Sequence, residues 1–332
     1  MRRCLKCMEE YLDRYENTCP HCGFTEGAGE SEEFFIRSGS ILQGRYIVGI
    51  VLKARSSDII YIGWDALFER KVQIQEYYPK DWACRKEGLY VEALPSQSEQ
   101  YQEGLEQFYA RSRELLRLYQ ENDIITYYAS FQENGTAYGV MEYQKRQTLG
   151  QWLQGRTLKE EEAMDFLRKA ADAVEKVHQA GGWHGMPGID TFWVTSERNL
   201  ILKDFGGWQH TETLREGQKN KGQALEETGA CEDNYGLAKL FCRMITGREI
   251  LDAQMLDEML ASNKKMISKS AGNALRNALS YKTIDTAKFR EEIEKLSEKN
   301  PTASIPVLWI AGGIASLAVL AAAGFFLAYF FL

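Results

Sequence analysis

The sequence predicts an α+β fold in two lobes, strand-rich first and helical second, with a small cysteine-bearing module in front and an apolar run behind. Three observations predict it. Runs rich in Ile, Val and Tyr crowd residues 46–76 and 124–143, which is the composition of strands. After Tyr143 the apolar residues fall at helical spacing instead, as in Ala163, Phe166, Leu167, Ala170, Ala171, Val174 and Val177; that stripe predicts a core-facing helix. Four cysteines lie before residue 24, and residues 305–332 contain no charge.

The 332 residues suit about two domains with attachments. Hydrophobic residues at 44% and charged residues at 26% leave ample chain for a sizeable core. A net charge of −7 argues against a nucleic-acid partner, which requires a basic surface to displace counterions. Met1-Arg2-Arg3 runs directly into Cys4 without the apolar run of a secretory signal. Cys84, Cys231 and Cys242 are scattered and read as reduced thiols of a cytosolic body.

Residues 1–24 read as a four-cysteine zinc ribbon. Cys4-x-x-Cys7 and Cys19-x-x-Cys22 are separated by eleven residues. Each knuckle offers two thiolates from one tight turn, and two knuckles close a tetrahedron around zinc. A closed four-sulfur shell has no position for water, so the metal is expected to be structural. His21 reads as a knuckle residue, not a ligand. Residues 25–40, rich in Gly, Ser and Glu, read as a flexible acidic linker.

Strands are expected at 46–51, 59–64 and 71–76, and a helix over 98–119. Residues 124–131 and 137–143 read as a hairpin turning at Asn134-Gly135. Thr157-Leu158-Lys159-Glu160 has the spacing of a capping box at the start of the next helix.

Gly44-Arg45-Tyr46, Tyr61-Ile62-Gly63-Trp64-Asp65 and Val72-Gln73-Ile74-Gln75-Glu76-Tyr77-Tyr78-Pro79, with His184-Gly185-Met186 and Asp204-Phe205-Gly206 further on, resemble the framework of bacterial serine/threonine protein kinases. The resemblance covers about residues 41–298. It implies a two-lobed protein kinase-like domain, with an N-lobe over 41–143 and a C-lobe over 144–298. Such a domain transfers a phosphoryl group with a glycine-rich cradle, a lysine held by a carboxylate, metal ligands and a base.

Position by position, that chemistry is replaced. The family's glycine positions fall on Lys53, Arg55 and Asp58, and the third-strand lysine on Gln75. Gln73 stands where a small residue packs on adenine. The carboxylate partner of the lysine aligns with Arg111, the catalytic base with Met186 and a metal-binding asparagine with Thr191. No catalytic residue is therefore expected. His184, Phe205 and Asp233 keep framework roles in the resemblance: spine packing for the first two, and hydrogen bonding to the catalytic-loop backbone for the aspartate. Ala224-Leu225-Glu226 reads as a worn Ala-Pro-Glu motif. Asp204 is the position through which residual Mg²⁺ or ATP binding would run.

Residues 305–332, as a helix of about 40 Å, exceed the roughly 30 Å hydrocarbon core and read as one transmembrane helix. Lys295 and Lys299 before the span place the body in the cytoplasm. Ala311, Gly312, Ala315 and Ser316 offer a small-residue face for homo-oligomerisation. The whole reads as a membrane-tethered pseudokinase, a binding scaffold or signalling adaptor with zinc as its cofactor and protein partners. Two rivals stay open. One is an atypical kinase using Lys53 or Lys71 with Asp190 or Asp204; the other is a structural subunit of a membrane machine.

Overall fold

The computed structural model describes residues 2–12, 17–27, 32–180, 182–203, 205, 222–262, 267–280 and 285–298. A short hairpin, β1 (Arg2–Arg3) with β2 (Glu10–Tyr11), opens the chain. The first lobe is a six-stranded antiparallel sheet in the order β3-β4-β5-β6-β10-β9. Its strands are β3 (Ile41–Leu42), β4 (Tyr46–Ala54), β5 (Asp58–Asp65), β6 (Arg70–Tyr77), β9 (Tyr127–Glu133) and β10 (Thr136–Glu142).

Side-chain alternation sets the two faces of this sheet. Val72, Ile74 and Glu76 of β6 lie opposite Gly63, Tyr61 and Ile59 of β5 on one face. Gln73 and Gln75 lie opposite Ile62 and Ile60 on the other. The β9–β10 turn is built as its sequence requires, with Asn134 at φ 54° and Gly135 at φ 77°. Gly135 is doubly constrained, since a Cβ there would meet the Val91 carbonyl oxygen at 2.2 Å.

That carbonyl belongs to a hairpin which the strand pattern did not announce: β7 (Ala83–Lys86) and β8 (Tyr90–Ala93). It carries Arg85, whose guanidinium forks onto Glu76 at 3.0 and 2.7 Å with both side chains fully buried. Tyr61 and Tyr138 donate to the same carboxylate at 2.8 and 3.2 Å. Arg85 also donates to the Phe34 carbonyl at 2.8 Å, and the Ile36 amide donates to Tyr61 at 3.1 Å. Residues 32–40, read as flexible linker, are thus laid against the sheet with Ile36 2% exposed. Phe34, Phe35 and Ile36 supply the apolar burial that the Gly/Glu composition upstream obscured.

Helix α1 (Ser98–Leu115) crosses the sheet with Tyr101, Leu105, Phe108, Ser112 and Leu115 buried at three- and four-residue spacing. Tyr101 and Phe108 pack on Tyr77 at 5.4 and 5.7 Å between ring centres.

The second lobe begins with α2 (Leu149–Leu153) and α3 (Glu160–Gln179). The expected stripe on α3 is core: Ala163, Phe166, Leu167, Ala170, Ala171, Val174 and Val177 are all buried. The expected capping box at its start is absent. Lys159 is the N-cap and its ammonium has no acceptor to offer the helix amides, while the Glu160 carboxylate accepts from the Ser268 amide at 2.9 Å. A complete box does form one helix earlier, between Thr148 and Gln151 at the head of α2.

Strands β11 (Phe192–Val194) and β12 (Leu200–Leu202) pair antiparallel beneath the first lobe, followed by α4 (Gly222–Thr246), α5 (Ala253–Ser262), α6 (Lys269–Leu279) and α7 (Thr286–Glu298). Helix α3 packs against α4 and α7. The backbone of 224–226 lies inside α4, continuous with Asp233. Leu225 stands where the worn motif would have proline, so nothing breaks the helix there. Among the described residues no helix is long and apolar enough to cross a membrane; 305–332, read as a span, lie outside the described residues.

Candidate functional site

The two cysteine knuckles bring four thiols together. The sulfurs of Cys4, Cys7, Cys19 and Cys22 all lie within 4.8 Å of one another, with Cys4–Cys22 at 3.6 Å and Cys7–Cys19 at 3.7 Å. A zinc tetrahedron with sulfur at about 2.3 Å has edges of about 3.8 Å, so the set fits the metal and is too open for disulfides. Burial pushes the Cys7 thiol up to about 12. Burial also acts on Cys19, but the His21 and Cys22 amides together with the Cys4 and Cys7 thiols bring it down to about 7. His21 turns away, its Nε2 3.2 Å from the Glu10 carbonyl.

The knuckles differ at one position. After Cys22 stands Gly23 at φ 68°, the left-handed turn that glycine accepts freely; after Cys7 stands Met8 at φ 58°. A methionine there is strained, and its side chain explains its presence. Met8 is fully buried, and its Cε and the Leu5 carbonyl fill the space where a Cβ on Gly49 would go, beside Ile62. The Ile50 amide donates to the Leu5 carbonyl at 2.9 Å. Arg3 stacks over Trp64 at 3.6 Å, and Lys71 pairs with Glu9. The four-cysteine module is therefore docked on the sheet, on the same face as Gln73 and Gln75.

That face carries the positions which the resemblance assigns to phosphate handling. Gln75 Nε2 donates to Asp58 at 2.5 Å, and Gln75 Oε1 accepts from the Tyr127 hydroxyl at 3.1 Å. Arg55 donates to the same Asp58 carboxylate at 3.1 and 3.4 Å. Asp58 is 2% exposed. A chain of side chains, Arg55–Asp58–Gln75–Tyr127, thus crosses from the β4–β5 turn to β9. Gln73 is half-buried between Ile62 and Met141 in register, with no side-chain hydrogen bond among the described residues. Lys71, a candidate phosphate lysine, has its ammonium on Glu9.

Arg111 on α1 feels the Tyr127 hydroxyl at the end of this chain, but its guanidinium is directed elsewhere. It donates to the Trp183 carbonyl at 2.5 Å, with its ring contact to Trp183 at 5.8 Å. Burial pulls its pKa below the ordinary arginine value, against the opposing charge of Asp233. It fastens α1 to the segment that precedes His184.

That segment is organised by Asp233, fully buried on α4. Its carboxylate accepts from the amides of His184, Gly185 and Met186 at 2.8, 2.7 and 3.2 Å, and Nε2 of His178 lies 2.7 Å from it. Gly185 and Met186 take φ of 81° and 60°, turning the loop so that three successive amides face one carboxylate. The thioether of Met186 can neither accept nor release a proton at the position of the base. Thr191 is occupied with its own turn, exchanging bonds with the Gly188 amide and carbonyl at 2.8 and 2.7 Å. Asp190 is exposed and accepts from Thr148 at 3.1 Å. The rings of His184, Phe205 and Tyr127 follow one another at 5.4 and 6.4 Å. Asp204 lies outside the described residues.

Sequence reasoning missed three participants: Tyr127, His178 and Met8. Only Met8 carried a signal, as the residue that breaks the Cys-x-x-Cys-Gly pattern of the other knuckle.

No protein-family model matches the chain, and no curated protein matches it in sequence. Among solved structures, the apo form of PpkA-294, from a bacterial serine/threonine kinase, matches with a TM-score of 0.63 at 19% identity. The match covers 80% of this chain and 99% of that one. A likeness at that identity establishes the fold: the chain contains a protein kinase-like domain.

Proposed function

We propose that the chain is a pseudokinase, a kinase-like module kept for binding protein partners without phosphotransfer, and that 305–332 tether it to a membrane with its body in the cytoplasm. The observation that carries this reading is the Arg55–Asp58–Gln75–Tyr127 chain. In an active cleft the lysine ammonium and bare glycine backbone receive phosphates. Here a buried carboxylate faces that space, and the groups around it are engaged with one another. Catalysis would also lack a base at Met186, typically worth about 10²–10⁴ in rate. The zinc module belongs to the same working unit, since Met8, Arg3 and Glu9 seat it on the sheet.

Thermal unfolding of the full-length chain with ATP and Mg²⁺ or Mn²⁺ tests the reading. The melting temperature is expected to stay unchanged. A stabilisation that disappears in Asp204→Ala would replace the proposal with nucleotide binding through Asp204. Resistance of the chain to alkaline extraction from membranes, lost on deleting 305–332, tests the tether; extraction of the intact chain would refute it.

A further inference from the structure

Away from the cleft, a cavity of about 470 Å³ opens where the segment after β10, the end of α2 and the β11–β12 turn meet. Four cations line it, Lys145, Arg146, Arg156 and Arg198, around Trp152. The three segments are fixed to one another: the Val194 amide donates to the Gln147 carbonyl at 3.0 Å, and Thr148 caps α2. Trp152 is held from behind by Phe166, at 5.3 Å between ring centres.

Two guanidinium groups lie against this indole, Arg156 at 3.9 Å and Arg198 at 5.8 Å from its ring centre. Cation–π contact favours each singly, but their mutual repulsion opposes the pair. The neighbouring carboxylates are few. Glu162 lies 3.6 Å from Arg198 across an exposed pair, and Glu197 feels the charge of Arg146. Lys145, Arg146 and Arg156 have no ion-pair partner among the described residues. Arg146 also faces the adjoining cavity beside Glu142, so the two charges left unopposed are those of Lys145 and Arg156.

Arg198 adds a conformational argument. It sits at φ 60°, closing a turn through its amide to the Thr195 carbonyl at 3.1 Å. Glycine or asparagine takes that geometry more easily. Lys169 steadies the turn by donating to the Arg198 carbonyl at 3.0 Å. A strained position that nevertheless carries a guanidinium, aimed at an indole already occupied by another, is what an anion site requires.

We propose that this cavity binds the phosphate of a phosphorylated serine or threonine on a protein partner. Forked guanidinium groups match phosphate oxygens, a phosphate dianion offsets the two surplus charges, and its arrival relieves the repulsion across Trp152. The cations converge from three segments on one indole, a focus that suits a single phosphate; a bilayer engages cations spread over a plane. The site is independent of whether the cleft binds nucleotide, so it stands or falls separately from the pseudokinase reading.

The test uses the immobilised full-length chain and a degenerate peptide library with one fixed phosphoserine or phosphothreonine, beside its unphosphorylated twin and vesicles of phosphatidylglycerol. The phosphorylated library should be retained about tenfold more than its twin, and Arg156→Ala/Arg198→Ala should lose about tenfold of that retention. Arg146→Ala, which leaves the indole stack intact, should lose part of it, and Lys80→Ala on the other lobe none. Equal retention of the two libraries, or unchanged retention in the double variant, would overturn the proposal. Vesicle binding that depends on Arg156 and Arg198, without preference for the phosphorylated library, would also overturn it and assign the cavity to lipid headgroups.

Discussion

Two buried aspartates, Asp58 and Asp233, organise opposite sides of the kinase-like domain, and they answer to different constraints. Asp233 is 0% exposed and satisfied by three backbone amides and an imidazole. It shapes a loop whatever side chains that loop carries. Asp58 is 2% exposed and satisfied by other side chains, Arg55 and Gln75. It stands where the resemblance puts a glycine, and its partners stand where that resemblance puts a glycine and a lysine. One aspartate preserves backbone geometry; the other consumes the place where phosphate would lie. On the proposed reading, the fold outlasts the reaction because the two aspartates draw on different residues.

Removing Asp233 should break the framework side. Asp233→Ala takes the acceptor from three amides, one buried and two half-buried, and from Nε2 of His178, and a loss of about 3–5 kcal/mol follows from deleting one buried charged partner. At roughly 2–4 °C per kcal/mol for a domain of this size, thermal unfolding should fall by about 10 °C. A shift of only a degree or two would show that the loop is held by other contacts.

Met8 repeats the contrast in miniature, since its knuckle departs from the glycine of its twin in order to dock. Met8→Ala should cost roughly 2–4 kcal/mol of lobe stability by emptying a buried site. Met8→Gly should cost less than alanine, because it also removes left-handed strain. Amide exchange at Ile50, bonded to the Leu5 carbonyl, should quicken in both while cadmium-exchanged thiolate absorption persists. Equal stability of the two variants would remove strain from the explanation.

Asp58→Ala should cost about 1–3 kcal/mol, the penalty for buried donors left without their acceptor, measured by denaturant unfolding. The smallest effect sharpens the comparison most. Asp58→Gly/Gln75→Lys restores the two family residues and should admit Mg-ATP weakly. A Kd near 1 mM with ligand a few times above it gives about 1 kcal/mol of stabilisation. Gln75→Lys alone should give none, because its ammonium would pair with Asp58.

Much of this was legible in the chain. The strand alternation of β6, the α3 stripe, the Asn134-Gly135 turn and the cysteine spacing each follow from local periodicity or metal geometry, and each lies where expected. The seat of the cysteine module was not legible, since Gly49 and Met8 are far apart in sequence and meet only in the fold. Nor was the docking of 32–40, which depends on the buried Glu76–Arg85 pair. Local propensity also misplaced the start of α3, where Glu160 found a partner 108 residues away.

The most direct test of the central claim is transfer of radiolabelled γ-phosphate from ATP by the full-length, zinc-loaded chain, to itself and to a general acceptor protein, with Mg²⁺ or Mn²⁺. The account predicts no incorporation above that of the heat-denatured chain. Stoichiometric labelling, abolished by Asp204→Ala, would contradict it and return the chain to the active kinases.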